Sequence, residues 1–156
     1  MKLEGMVLSF MKRDLFMRCK GDLEIAKSLC NSDDEYKLCV SGYLTQQAIE
    51  KCLKAVLREL GISYAKTHSI HSLVISLPDC QSFFTEEQMA VLEERAPLLT
   101  EWESHARYVE GYTVTRRALL RQLQLAEEVV SAAEKEFERR DQQAIKSAGV
   151  SKMNLF

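Results

Sequence analysis

The longest regular pattern of apolar and polar positions lies between Tyr36 and Leu60. When these residues are placed at ~100° per residue, their apolar side chains cover roughly 220° of the helix circumference. The polar and charged side chains fall in the remaining arc of roughly 100°: Gln47, Glu50, Lys51, Lys54 and Arg58. A surface helix has a narrower apolar stripe. The pattern therefore predicts a central helix that has neighbours on at least two sides and exposes only a narrow, mostly basic strip.

The ends of this central helix and the helix before it can also be predicted. Apolar residues at three- and four-residue steps indicate a first helix over residues 8–30. Gly21 lies in its middle and weakens it by ~1 kcal/mol relative to alanine. Ser32 or Asp33 is expected to cap the central helix at its start, because both side chains accept hydrogen bonds from free amides. Gly61 is expected just after its last residue, since glycine tolerates the left-handed conformation found there.

Three further helices follow in the sequence. A short one is predicted over about 69–77, with Thr67 or Ser69 as its cap. Thr85 opens a longer helix in a capping-box pattern, and Pro97 predicts a kink or break inside that helix. The last helix is predicted from about 113 to 139, where a continuous apolar seam recurs at helical spacing.

Together these elements predict an all-α fold, an antiparallel up-and-down bundle of four long helices plus a short helix. The chain has 156 residues, enough for one domain with a substantial core, and we assign that domain to residues 1–140. Residues 141–156 carry no sustained apolar stripe and are predicted to be a flexible tail. Glycine (6) and proline (2) are scarce, which leaves little chain for the turns of a β-sandwich or barrel.

Composition restricts the classes of function. The net charge is −2, so no global field attracts nucleic acid, and any such binding must be local. The five cysteines include no Cys-x-x-Cys pair and are odd in number, which favours small buried side chains in a reducing compartment over a disulfide framework or a zinc site. The first residues form neither a signal peptide nor a membrane span. We therefore expect a cytoplasmic protein without a cofactor, a metal or a membrane contact.

The basic strip of the central helix, Gln47, Lys51, Lys54 and Arg58, is one candidate site. Three cations on one helix face can contact phosphate. The alternative is an ordinary solvated face, in which Glu50 and Lys54 support the helix as an i,i+4 pair. Gln46 lies at the edge of the apolar arc, where it is expected to bond a neighbouring helix or a partner protomer rather than a ligand.

The three histidines and one Arg-Tyr pair are further candidates. His68 and His71 are three residues apart at a helix start, a spacing that suits capping and packing, although His68 could also donate to a phosphate there. Two such residues make an incomplete metal site. Arg107 and Tyr108, with His105 beside them, offer a planar fork for phosphate and a ring for a base.

The alternative for this pair is structural. Arg107 would pair with Glu103 or Glu110, and Tyr108 would fill the end of the bundle together with Tyr112.

Three segments carry a resemblance to a known family: QQAIEK at 46–51, Thr67-His68 followed by Leu73, and ARY at 106–108. In this order, over roughly residues 9 to 137, they resemble the HEPN domain family, although Val109 stands where that family has proline. The resemblance implies a four- to five-helix bundle that is commonly a homodimer. It also implies a nucleotide ligand or a partner minimal nucleotidyltransferase, as in toxin–antitoxin-like pairs.

Other branches of that family are metal-independent RNases, marked by an arginine that is separated from a following histidine by four to six residues. No histidine of this chain has an arginine in that position. Lys66 stands at the right distance before His71, but lysine lacks the bidentate fork of arginine. An RNase would therefore have to use His105 or His68 as general acid or base, with Arg107 stabilising the charge.

The sequence thus predicts a non-catalytic HEPN-like binding module. It is expected to form a homodimer and to bind nucleotide or RNA phosphate, or a minimal nucleotidyltransferase. The expected ligand-binding residues are Arg107, Tyr108, His68, Gln47, Lys51 and Lys54. The alternatives are a metal-independent RNase toxin and a purely structural dimer partner.

Overall fold

The computed structural model describes the backbone of residues 2–153 and the side chains of residues 13–149. This part of the chain forms five α-helices and no strand. The helices are α1 (Lys2–Leu29), α2 (Glu35–Glu59), α3 (Ile70–Ile75), α4 (Glu86–Tyr108) and α5 (Arg116–Met153). The predicted all-α bundle, with four long helices and one short one, is confirmed.

Helix α2 is the centre of the bundle. It packs against α1, α4 and α5 and also contacts α3. Ile49, Leu53 and Val56 are completely buried, as the width of the apolar arc predicted. A helix covered on so many sides is stabilised mainly by this packing and only secondarily by its intrinsic propensity.

The start of α2 differs from the prediction by one residue. Asp34 is the N-cap, and its carboxylate accepts from the amides of Tyr36 at 2.8 Å and Lys37 at 3.4 Å. The expected caps were Ser32 and Asp33. Ser32 instead accepts from the amide of Asp34 at 3.1 Å, so it supports the turn that leads to the cap.

The end of α2 confirms the role expected for Gly61, whose φ of 70° lies in the left-handed region. The amide of Gly61 bonds the carbonyl of Arg58 at 3.1 Å, and the amide of Ile62 bonds that of Leu57 at 2.9 Å. This pair of bonds is the Schellman motif, which satisfies carbonyls that the helix end would otherwise leave unpaired. The loop that follows returns along α2 far enough for His68 to contact Glu50.

The caps of α3 and α4 agree with the sequence. Ser69 caps α3 by accepting from the amide of Ser72 at 3.2 Å. Thr85 and Gln88 form the predicted capping box, with bonds of 3.1 and 3.0 Å between each side chain and the other residue's amide. Two unpaired amides at the start of α4 are thereby satisfied.

Pro97 does not break α4, which runs without interruption from Glu86 to Tyr108. A proline inside a helix removes one backbone hydrogen bond and costs about 3 kcal/mol. The helix persists because a stripe on both sides of Pro97 is buried in the core. That stripe consists of Leu92, Ala96, Leu99 and Trp102.

Helix α5 begins at Arg116 and ends at Met153, so it starts slightly later and continues much further than predicted. Its buried seam is the predicted one: Leu119, Leu123, Ala126, Val130, Ala133 and Phe137. Residues 141–149 are all exposed, which explains why no apolar stripe marks them. This segment contains two glutamines, two alanines and one lysine, and their helix propensity permits helix without burial. The division into a domain to residue 140 and a tail stays a prediction.

An ion pair and a hydrogen bond connect α5 to α1 and to the loop before α4. Lys27 of α1 pairs with Glu127 of α5 at 2.6 Å. Glu136 accepts from Arg139, from Arg140 and from Ser82 in the loop before α4. The Arg139 hydrogen bond, followed by those of Ser82 and Arg140, lowers the pKa of the Glu136 carboxyl to about 2.

Two general expectations concern cysteines and membranes. Cys19, Cys30, Cys39 and Cys52 are buried and Cys80 is exposed, and none of them forms a disulfide. Most therefore act as small core residues, as expected. Among the described residues, no helix is both long enough and apolar enough to cross a lipid bilayer.

Candidate functional site

The candidate residues form two clusters along one face of α2. Tyr43 packs against Arg107 of α4, and Glu50 contacts His68 of the following loop. Tyr43 and Glu50 are seven residues apart, which corresponds to a rise of ~10 Å along the helix. We call the cluster around Tyr43 and Arg107 the Tyr–Arg groove and the cluster around Glu50 and His68 the Glu50 network.

The Glu50 network consists of Gln46, Gln47, Glu50, Lys54 and His68. The Glu50 carboxylate, only 4% exposed, accepts from Gln46 at 2.7 Å and from Lys54 at 2.8 Å. His68 Nδ1 donates to the same carboxylate at 3.1 Å. The prediction that Glu50 lies in the exposed arc is wrong, because the loop after α2 folds back over this part of the helix. A carboxylate can be buried here because three donors satisfy it.

Gln46 is completely buried, and its partners lie on its own helix. Its Nε2 donates to Glu50, and its Oε1 accepts from Gln47 at 2.8 Å. The expected bond to a neighbouring helix or a partner protomer is therefore replaced by a chain of side-chain bonds along α2. Such fully satisfied buried networks fix side-chain positions, since each member left unpaired carries a cost.

Each cation of the basic strip bonds another side chain of the same chain. Lys51 pairs with Asp22 of α1, and Lys54 pairs with Glu50. Arg58 donates from Nε to the Tyr64 hydroxyl at 3.0 Å. The side chains of Lys51 and Lys54 are only 25% and 16% exposed. The strip is therefore not a free positive patch, and both lysines are neutralised by carboxylates.

Arg107 is held between rings and a carboxylate. Its guanidinium lies 4.4 Å from the ring centre of Tyr43 and 4.6 Å from that of Tyr108. Its Nε donates to the Glu103 carbonyl at 2.7 Å, and its Nη2 pairs with the Glu103 carboxylate. Of the two partners in the structural alternative, Glu103 and Glu110, Arg107 thus pairs with Glu103. Nη1 makes no hydrogen bond among the described residues.

The Tyr–Arg groove has a volume of about 460 Å³ and lies between the start of α2 and the end of α4. Tyr36, Val40 and Tyr43 form its α2 wall, and Arg107, Tyr108 and the residues up to Thr113 form the opposite side. Tyr108 is 74% exposed, so the structural alternative, in which it fills the end of the bundle, is wrong. Of Tyr108 and Tyr112, only Tyr112 is partly buried against the core.

The α2 wall was missed in the sequence, although a signal for it exists. Tyr36, Val40 and Tyr43 are spaced by four and three residues, which places them on one helix face. That face continues into Gln47 and Glu50. The stripe of α2 is therefore aromatic in its first half and polar in its second.

The remaining histidines are not brought into either cluster. His105 Nδ1 donates to the Glu101 carbonyl at 3.1 Å, and its ring lies 5.6 Å from that of Tyr112. Burial, together with the Glu101 carboxylate, raises the pKa of the Tyr112 phenol. His71 is exposed on α3. Among the described residues, no three His, Cys, Asp or Glu side chains are grouped so that they could hold a metal ion.

Comparisons with known proteins identify the fold and the family. The family model described as "HEPN domain" matches residues 13–136, close to the 9–137 over which the resemblance was expected. The crystal structure of TT1696 from Thermus thermophilus is similar, with a TM-score of 0.63 and 24% sequence identity. The alignment covers 80% of this chain and 96% of that one, and at this identity it shows the fold alone. Comparison with curated protein sequences gives no match.

Proposed function

Because the chain belongs to the HEPN domain family, we propose that it is a non-catalytic interaction module that binds a partner protein through the Tyr–Arg groove. The family and the helical bundle identify a helical, nucleotide-related module. The partner class implied by the family resemblance is a minimal nucleotidyltransferase, in a toxin–antitoxin-like pair. In this proposal, any nucleotidyl transfer is carried out by the partner chain.

The observation that carries the proposal is a cluster of exposed apolar side chains. Four of the nine large apolar side chains that are exposed among the described residues line this one groove. They are Tyr36, Val40, Tyr108 and Val109. Single exposed apolar residues are normal on a soluble domain, whereas a cluster rimmed by polar residues marks an interaction surface. Tyrosine and arginine are also the residue types that most often anchor protein interfaces.

The charges of the candidate residues favour a protein over a phosphate ligand. The expected phosphate contacts were the cations of the basic strip, Arg107 and His68. Of these, Lys51, Lys54 and Arg107 each form an ion pair with a carboxylate of this chain. Arg58 donates to the Tyr64 hydroxyl, and His68 contacts Glu50. A phosphate would have to displace or approach those carboxylates, and the repulsion would offset much of its attraction to the cations. A neutral or cationic protein surface meets no such cost.

The test is co-expression of this chain with the product of the reading frame next to its gene. We expect a complex that stays together in size-exclusion chromatography with light scattering. The double variant Tyr36→Ser and Tyr108→Ser should lose the complex while keeping its helical circular dichroism. Ile75→Ser is the matched control, because Ile75 is 61% exposed but lies on α3 in a different groove.

Two outcomes would overturn this proposal. A complex that survives the tyrosine substitutions would place the interface elsewhere. A homodimer is the other occupant of the groove to consider, and it would appear as twice the chain mass of 17.9 kDa. If the tyrosine substitutions convert such a dimer to a monomer, the groove serves self-association instead of a second protein.

A nucleotide is the second candidate ligand, favoured by one specific feature of the groove. The Tyr108 ring is exposed, and Nη1 of Arg107 beside it makes no hydrogen bond among the described residues. Base stacking on an aromatic ring contributes about 1–3 kcal/mol. Calorimetric titration with ATP and with a short RNA tests this candidate. Heat of binding that disappears in Tyr108→Ser would favour a nucleotide. No heat with either ATP or RNA would leave a protein partner as the remaining candidate.

An RNase would require His105 or His68 to act as general acid or base. His105 is bonded to a backbone carbonyl and His68 to Glu50, and neither contacts Arg107. Incubation of the purified chain with RNA in EDTA tests the activity directly. We expect no degradation. Cleavage that persists in EDTA and disappears in His105→Ala or His68→Ala would show an RNase.

A further inference from the structure

The rim of the Tyr–Arg groove carries excess negative charge. Glu35 and Glu110 both line the groove and are exposed, and neither forms an ion pair among the described residues. Within the described part of the chain, the only cation in the lining is Arg107, which Glu103 already neutralises. An incoming group therefore meets two unpaired carboxylates, and an attraction to positive charge results.

The helix ends around the groove add to this preference. Helix α4 ends at Tyr108, and the residues of its last turn, from Ala106 onward, line the groove. The final carbonyls of a helix carry a partial negative charge, which attracts cations. The positive start of α2 is offset, because Asp34 accepts from its first amides.

The tyrosines of the groove already bind one guanidinium. Arg107 lies against the rings of Tyr43 and Tyr108 at centroid distances of 4.4 and 4.6 Å, within the range of a cation–π contact. Tyr36 is 85% exposed and makes no such contact with a cation of the described residues. The groove thus offers a further ring face for a second cation, next to the two rim carboxylates.

We propose that the Tyr–Arg groove binds an arginine side chain of the partner protein, which stacks on the exposed tyrosines and pairs with Glu35 and Glu110. Arginine fits better than lysine because its planar group stacks on rings and bonds carboxylates in a fork. This inference rests on the proposed function and adds the chemistry of the partner: a segment with an exposed arginine flanked by apolar residues.

The experiment uses synthetic peptides and the intact chain. The peptide Ac-Gly-Leu-Arg-Leu-Gly-NH₂ is titrated while the tyrosine ring signals are followed by NMR. The same peptide with citrulline, which has the shape of arginine but no charge, is the matched control. Peptides with lysine or glutamate, and AMP, complete the series. We expect millimolar binding of the arginine peptide that shifts the groove tyrosines, and citrulline binding weaker by about two- to fivefold or more.

Variants separate the contributions of ring and charge. Tyr108→Leu should weaken the arginine peptide about two- to fivefold, while Tyr108→Phe should retain its affinity because the ring is kept. Glu110→Gln should weaken it by a similar factor. Glu93→Gln is the matched control, since Glu93 is an exposed α4 residue that lies outside this groove.

Equal binding of the arginine and citrulline peptides would overturn the inference. Stronger binding of the glutamate peptide or of AMP would also overturn it. So would the absence of any change in the tyrosine ring signals with every probe, up to a probe concentration about ten times the expected millimolar Kd. The proposed function fails separately, when a co-expressed complex survives the loss of Tyr36 and Tyr108. A complex that depends on those tyrosines without any preference for arginine would refute this inference alone.

Discussion

Removal of the Glu50 carboxylate tests whether the Glu50 network stabilises the fold. In Glu50→Ala, the buried Gln46 Nε2 loses the acceptor that it contacts at 2.7 Å. An unsatisfied buried donor costs about 1–3 kcal/mol. Lys54 also loses its partner, but its amino group can hydrate, so this adds only about 0.5–1 kcal/mol. The relief of burying one carboxylate offsets part of the total. We expect the free energy of unfolding to fall by about 2–3 kcal/mol.

Urea denaturation followed by circular dichroism at 222 nm measures this change. Glu138→Ala is the control, because Glu138 is an exposed glutamate on α5 whose loss should change stability by no more than about 0.5 kcal/mol. A double-mutant cycle with Gln46→Ala should give a coupling of about 1–2 kcal/mol. If Glu50→Ala costs no more than Glu138→Ala, the reasoning about the buried carboxylate is wrong.

Substitutions elsewhere in the bundle test its packing and its acid sensitivity. Gly42→Ala should lose about 1 kcal/mol in urea denaturation, because a new Cβ would lie 3.2 Å from the Trp102 ring and 3.3 Å from both Val114 methyl groups, and this crowding outweighs the gain in helix propensity. Gly21→Ala, with nothing within 4 Å, should instead gain up to about 1 kcal/mol, and a loss there would contradict the argument. Glu136 has a pKa of about 2 in the fold against an ordinary 4.5, so its contribution is fully present above pH ~4.5 and is lost as the pH falls towards 2. Unfolding free energies at pH 5 and pH 3 should therefore differ less in Glu136→Gln than in the parent chain, and equal differences would argue against the ion pair.

The sequence predicts those features of the fold that depend on local pattern. The width of the apolar arc is enough to place α2 at the centre, since Ile49 and Val56 are completely buried. Gly61 and the Thr85 capping box are also recognisable, because each motif needs particular residue types within one turn. The resemblance to the HEPN domain family was likewise recognised from segments of only a few residues.

Features that depend on distant contacts could not be predicted in the same way. Glu50 lies on the polar arc of α2, but its carboxylate is buried among Gln46, Lys54 and His68. His68 is 18 residues away in the chain and reaches Glu50 only because the loop after α2 returns along the helix. The sequence favoured a positive strip because the carboxylate that pairs with Lys51 is not nearby in the chain. It belongs to Asp22 of α1, which is 29 residues away. The groove needs α4 to end beside the start of α2, which brings Tyr108 and Tyr43 to the same arginine. The length of α5 was underestimated because its last turns bury nothing that a periodic pattern would reveal.

These last turns of α5 have a consequence for measurements of folding. Residues 141–149 are exposed throughout, including Ile145, which is 72% exposed. A helical stretch of this length is marginal in water without tertiary support, so it should fray gradually on warming. The ellipticity at 222 nm should then drift before the cooperative transition, while the emission wavelength of the buried Trp102 stays constant. The two probes would differ without any folding intermediate in the bundle.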